Sequence, residues 1–394
     1  MVASAAGWDA AQPVAGYPCC GAPDHRWADI RPYVVNLTGG EFSRTGEMTT
    51  CVHEVDNIFD VYLPAFVCAA EKRSPGRRVP LVIWAHGGIV SESAGLEIAE
   101  NQVPWWRAND AYPLHFVWET GFLETARRIF RRRASDSLRS DPDLRAEAAD
   151  PSVGPVLDVP EYRGRLTARP WMSLKENAAK ASEDGGGARY VAERLAQFCS
   201  DYGDRVSLHA AGHSAGAIFH SHFLPAARAV GVPSFDSLQL LAPAIRVDGF
   251  RESMLTLVDQ DIQRLTVYTM NKQAEEDDTC FRLYRRSLLY LVSRRFEPEP
   301  DAPILGLEMS IRADPELTAA FGLNAESPGL AEVIWSPSGP QAPLDSRSSA
   351  ITHGGFDNDP DTMNSVARRV LGRSEIVGFP AAERGLSWWR RGWH

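Results

Sequence analysis

Gly212-His213-Ser214-Ala215-Gly216 sets a serine between two glycines in the spacing Gly-x-Ser-x-Gly. An apolar, strand-like run precedes it (RVSLHAAG, 205–212), and an alanine-rich helical run follows (AGAIFHSHFLPAARAVG, 215–231). A strand that must turn at once into a helix bends sharply, which holds the serine strained with its Oγ exposed. Gly212 and Gly216 remove side chains that would collide with the neighbouring strand and helix. The helix N-terminus then lies under the serine and offers a backbone N–H to developing negative charge. Attack by Ser214 on an acyl group is the chemistry that fits.

Such chemistry needs a second N–H for the oxyanion, a base and an acid. Ala85-His86-Gly87-Gly88 ends the apolar run 79–86, and the N–H groups of Gly87 and Gly88 can approach a substrate oxygen closely. His86 itself reads as structural. A serine at its ordinary pKa needs a base, and His353 in AITHGGFD (350–357) lies late in the chain, after the last strand-like run. The other histidines fit less well: His209 sits within a strand, His213 and His220 lie too near Ser214 in sequence, and His394 is terminal. The acid must orient the imidazole and stabilise the imidazolium. The order Ser, acid, His places it between 215 and 352, in the loop NKQAEEDDTC (271–280). Asp278 is the choice there, at the end adjoining the apolar stretch that resumes at Cys280. Asp277 and Asp248 are the alternatives. The acidic run DNDPD (357–361) lacks the glycine and glutamate of a calcium loop. Asp357 and Asp359 read as caps of a helix starting near Asp361. No metal site and no cofactor are expected.

The elements that must position these residues follow from periodicity. VPLVIWAH (79–86), LHFVWE (114–119), RVSLHAAG (205–212), SLQLLAP (237–243), RLTVYTM (264–270) and EVIWSP (332–337) are short apolar runs, as strands buried on both faces look. Helical stretches lie between most of them, including 173–203 and 215–231. Strands alternating with helices predict an α/β fold, a mostly parallel, doubly wound sheet. CVHEVDNIFDVYLPAFVCAA (51–70), rich in β-branched and aromatic residues, predicts two further strands. Residues 1–48 read as an irregular N-terminal arm, 49–372 as the main domain and 373–394 as a Trp-rich tail that folds back. Within the domain, 121–172 is an insertion of dense arginine followed by Pro/Gly-rich chain, either a roof over the active site or a solvated surface.

The composition sets limits. The 394 residues are 44% hydrophobic and 23% charged with net charge −10, which excludes a disordered chain and any long-range pull toward nucleic acid. The six cysteines are sparse, so free buried thiols are expected rather than a disulfide framework. No apolar run is long enough to span a membrane and no signal peptide is evident, so a cytoplasmic protein is expected.

With HGG at 86–88, GHSAG at 212–216 and THGGFD at 352–357, the chain resembles the α/β-hydrolase superfamily over roughly 50–372. The resemblance implies Ser214 as nucleophile, His353 as base and an acid after the strand 264–270. It also implies an oxyanion hole from Ala215 and Gly87 or Gly88. It departs from that family where the 243–264 connection is short and the insertion comes before the elbow instead. The expected activity is hydrolysis of a carboxylic ester of a small-molecule acyl substrate. Thioesterase, lipase, amidase or acyltransferase chemistry on the same triad, and a non-catalytic binding protein on this scaffold, are the alternatives.

Overall fold

The computed structural model describes residues 25–88, 90–118, 168–280, 284–324, 329 and 331–381. Its strands in chain order are β1 Val34–Thr38, β2 Glu41–Phe42, β3 Val79–Ala85, β4 Tyr112–Trp118, β5 Val206–His213, β6 Ser237–Leu241, β7 Leu265–Met270, β8 Thr279–Cys280, β9 Tyr284–Arg285 and β10 Ala331–Ser336. Eight form one sheet in the order β10-β7-β6-β5-β3-β4-β1-β2, while β8 and β9 make a small hairpin. Every pairing in the large sheet is parallel except β1 with β2. The expected α/β class with a mostly parallel sheet is what the chain adopts.

β3, β4 and β5 are buried along their whole lengths, as runs without polar alternation must be when helices cover both faces. Side chains alternate between the faces. Leu81, Ile83 and Ala85 of β3 join one core with Phe219 and Phe223 of the helix Gly216–Ala229 and Val191 and Leu195 of the helix Gly187–Tyr202. Val82 and Trp84 join another with Tyr268, Phe356, and Met363, Val366 and Val370 of the helix Pro360–Leu371.

Three expectations need correction. Residues 51–70 are helical (Val52–Asn57, a π-turn Ile58–Tyr62, then Leu63–Arg73), not two strands. Val55, Ile58, Phe59, Leu63, Phe66, Val67 and Ala70 are buried, a spacing of three and four that belongs to a helix face and outweighs the β-rich composition. The widened turn lies just before Pro64, whose missing N–H interrupts the regular ladder. The arm before residue 48 contains β1 and β2, which extend the sheet. The helical stretch 173–203 is two helices, Ala168–Ser182 and Gly187–Tyr202, parted at Gly185, which takes φ 85°.

Cys51 is disulfide-bonded, against the expectation of free thiols. Cys68, Cys199 and Cys280 are free, and Cys68 is exposed rather than buried. The start of the C-terminal tail does fold back: Trp105 Nε1 donates to the Val377 carbonyl at 2.8 Å, and Phe379 packs edge-on against Trp105. Trp388, Trp389 and Trp393, and most of the 121–172 insertion, lie outside the described residues. No helix among the described residues is long and apolar enough to cross a membrane.

Candidate active site

β5 sits between β3 and β6 and ends at His213, so Ser214 emerges at the carboxyl edge of the parallel sheet. This is where open α/β sheets present ligand sites. Ser214 adopts φ 53°, a left-handed conformation that costs an L-residue about 1–2 kcal/mol. Its neighbours hold it there. The Ser214 N–H donates to Leu241 O at the end of β6 (2.8 Å), and Ser214 O accepts from Ala244 N (3.0 Å) and Ala217 N (3.1 Å). The two flanking glycines are required by contact. A Cβ on Gly212 would lie 2.9 Å from Gly216 C and from the His220 ring, and one on Gly216 would collide with the Ala85 carbonyl oxygen of β3.

Because Ala85 pairs with Gly212, the loop leaving β3 falls beside the elbow. A Cβ on Gly87 would lie 3.2 Å from Ser214 Cβ, and one on Gly88 would lie 2.9 Å from Ala215 Cβ and 2.6 Å from Leu174. Among the described residues, the N–H groups of Gly87, Gly88 and Ala215 donate to no other group. Trp171 and Leu174, on the helix Ala168–Ser182 that begins within the end of the insertion, pack over Gly88. Trp171 is held in turn by its Nε1–H bond to buried Glu297 (2.6 Å), which also accepts from Lys175 (2.9 Å).

His86 is structural. Its Nε2 accepts the Trp118 N–H (3.2 Å), its Nδ1 faces the Gly87 carbonyl (2.8 Å), and burial pushes its pKa down to about 4.

His353 begins a single 3₁₀ turn, His353–Gly355, 17 residues past the end of β10. A buried hydroxyl chain ties the intervening loop down. Ser348 Oγ contacts Ser336 Oγ (2.8 Å) and Thr362 Oγ1 (2.7 Å), and Ser336 Oγ donates to Ala350 O (2.6 Å). The ring Nε2 then stands 2.9 Å from Ser214 Oγ. Burial, with His213 adding repulsion, holds the His353 pKa well below the ordinary histidine value.

Asp278 is buried beside this imidazole but contacts its backbone. Oδ2 accepts the His353 main-chain N–H at 2.9 Å, Oδ1 accepts the Thr279 N–H at 2.7 Å, and burial raises the carboxyl pKa. His353 Nδ1 has no partner among the described residues. Asp277 is exposed and bonds Gln273, and Asp248 is on the surface with Arg246, so neither reaches His353. A second carboxylate of the same loop, Glu275, also turns inward. It accepts from the Ser287 hydroxyl, and burial raises its pKa well above the usual carboxylate range.

Asp359 does cap the helix Pro360–Leu371, accepting the Thr362 N–H at 2.9 Å. Asp357 does not. Its side chain is fully buried, with Oδ2 3.3 Å from His213 Nδ1, and the opposite ring nitrogen of His213 lies 3.0 Å from the His353 carbonyl. The sequence reading missed this pair, since a four-residue offset inside an irregular loop has no period to betray it. Among the described residues, no group of three or more His, Cys, Asp or Glu side chains is placed to hold a metal ion.

The chain matches no protein-family model, no curated protein and no solved structure.

Proposed function

We propose that this chain is a serine hydrolase of the α/β-hydrolase type that cleaves carboxylic esters through an acyl-enzyme. The observation that carries the reading is the 2.9 Å approach of His353 Nε2 to the Oγ of a serine held at φ 53° between a buried strand and a helix N-terminus. A strained serine in hydrogen-bond contact with a neutral, buried imidazole is what an activated nucleophile requires. The strand order, with the serine on a central strand and the base past the edge strand β10, agrees with the sequence resemblance.

His353 takes the Ser214 proton as Oγ attacks the ester carbonyl. The oxyanion that forms is met by the N–H of Ala215 and that of Gly87 or Gly88. His353 gives its proton to the leaving alcohol, then removes one from the water that releases the acid. Asp278 is the acid of the set. It already fixes the His353 main chain, and in this reading its carboxylate takes the Nδ1–H when the imidazolium forms.

The test is hydrolysis of a short p-nitrophenyl ester by the parent and by Ser214→Ala. The variant is expected to lose several orders of magnitude in kcat, and an unchanged rate would end the proposal. Thioester and amide analogues in the same assay decide the acyl class.

A further inference from the structure

We propose that the buried His213–Asp357 pair is the positioning device for the base, clamping the turn that carries His353 to the residue adjoining the nucleophile. The proposal rests on the reading of Ser214 and His353 as nucleophile and base.

His213 is the last residue of β5 and covalently precedes Ser214. Its two ring nitrogens face two points of one short segment. Nε2 lies 3.0 Å from the His353 carbonyl, a hydrogen bond, and Nδ1 lies 3.3 Å from Asp357 Oδ2, an ion-pair contact without hydrogen-bond geometry. A carbonyl and a carboxylate only accept, so the arrangement suits a ring with a proton on each nitrogen. Both side chains are removed from solvent, at 3% and 0% exposure. A charge buried so deeply persists only when it is paired. Burial opposes the charge on His213, and the contacts with Asp357 and the His353 carbonyl together outweigh it, leaving its pKa raised. Asp357 is steadied by the Asn358 side-chain N–H at 3.0 Å.

The consequence is geometric. Residues 353 and 357 bracket the short segment that begins with this 3₁₀ turn, and both contact residue 213. The relation of His353 Nε2 to Ser214 Oγ is therefore set by a clamp one residue long on the strand side.

The clamp also acts electrostatically. The His213 and His353 rings lie 5.5 Å apart, so a cation on His213 opposes protonation of the base. The titratable and charged groups around His213 are Asp357 and His353 from the turn, His86 from the end of β3, and Asp278 on the His353 amide. Gly87 also packs there, where a Cβ would lie 3.5 Å from His213 Nδ1. Of these, His86 is held neutral near neutral pH, and Asp357 is the carboxylate in contact.

The test compares Asp357→Asn, Asp357→Glu and His213→Gln with the parent on a short p-nitrophenyl ester, across pH. Loss of the clamp in Asp357→Asn is expected to lower kcat about 100-fold, the cost of a small misplacement of a catalytic group, with KM nearly unchanged. Asp357→Glu, which restores the charge, should recover part of it. In His213→Gln the acid limb of kcat/KM should move to higher pH, an effect that mere loss of stability does not produce. A separate reading uses ¹⁵N NMR of the imidazoles in the Ser214→Ala protein, which needs no catalysis. His213 should carry protons on both nitrogens at neutral pH and lose one in Asp357→Asn. An unshifted limb with parental kcat in the variants, or a singly protonated His213, would overturn the clamp. An inactive parent with a doubly protonated His213 would instead count against the catalytic reading alone.

Discussion

The Asp278 carboxylate meets His353 at its main-chain nitrogen, 2.9 Å from Oδ2, while the ring Nδ1 of the same residue has no partner among the described residues. Asp278 thus holds the main-chain N–H of His353, the proposed base, in the resting protein. When the imidazolium forms, an unpaired buried Nδ1–H would be costly, and in the proposed mechanism the Asp278 carboxylate takes it. Asp278→Asn is expected to lower kcat by about 10²–10⁴, as loss of the orienting acid does in other triads. Asp277→Asn, at an exposed side chain, should stay within about twofold of the parent, as surface substitutions usually do. Steady-state kinetics on one ester checks both. Equal losses in the two variants would contradict the assignment.

The pH dependence of the reaction follows from the base. His353 must be neutral to accept the Ser214 proton, and burial first, then His213, holds its pKa well below the ordinary value. The rate kcat/KM should therefore rise through a midpoint clearly under the usual histidine value of about 6.5 and be flat across neutral pH. A pH–rate profile checks this, and a midpoint at or above that value would contradict it.

Much of this site was legible from sequence because its parts are local. The Gly-x-Ser-x-Gly spacing and the strand and helix beside it lie within one window, and the apolar runs at 79–86 and 205–212 have only one comfortable place, buried side by side as β3 and β5. His353 could be chosen by elimination and chain order. The rest depended on contacts between distant segments. Which of Glu275, Glu276, Asp277 and Asp278 turns inward is set by the cap of a six-residue helix and by the hairpin behind it. Asp357 meets His213 across 144 positions of sequence. Residues 51–70 were misread for a different reason: their composition favours strand while their spacing favours helix, and the spacing decides because the core it faces is one-sided.

The elbow stores strain that can be measured. Ser214→Gly and Ser214→Ala both remove the hydroxyl and its bond to His353, but only glycine relaxes φ 53°. Ser214→Gly is expected to be the more stable of the two by about 1 kcal/mol. Urea denaturation of the pair checks this. Equal stabilities would mean that the left-handed conformation is not strained.

Buried neutral histidines make the fold sensitive to acid. Burial pushes His86 and His220 down to about 4, and His115 and His209 to about 3. Unfolded, each returns to about 6.5. The unfolded chain then binds more protons between those values, so this stability is intact above pH 6.5 and is lost as the pH falls toward 4. Each group contributes a slope of at most about 1.4 kcal/mol per pH unit. Glu275 and Asp278, raised by burial, and His213, raised on balance, act with the opposite sign and offset part of it. The four histidines prevail, and the urea midpoint at about pH 5 should lie below that at about pH 7. Equal midpoints would contradict the expectation that the buried histidines dominate this balance.

The central claim is that Ser214 is an activated nucleophile, and its most direct test is covalent capture. A fluorophosphonate incubated with the folded protein near neutral pH should form a stable phosphonyl adduct, and peptide mapping should place it on Ser214. The adduct should be absent from Ser214→Ala and much slower to form in His353→Ala. A folded parent that takes no label, or a label mapped to any other residue, would contradict the account.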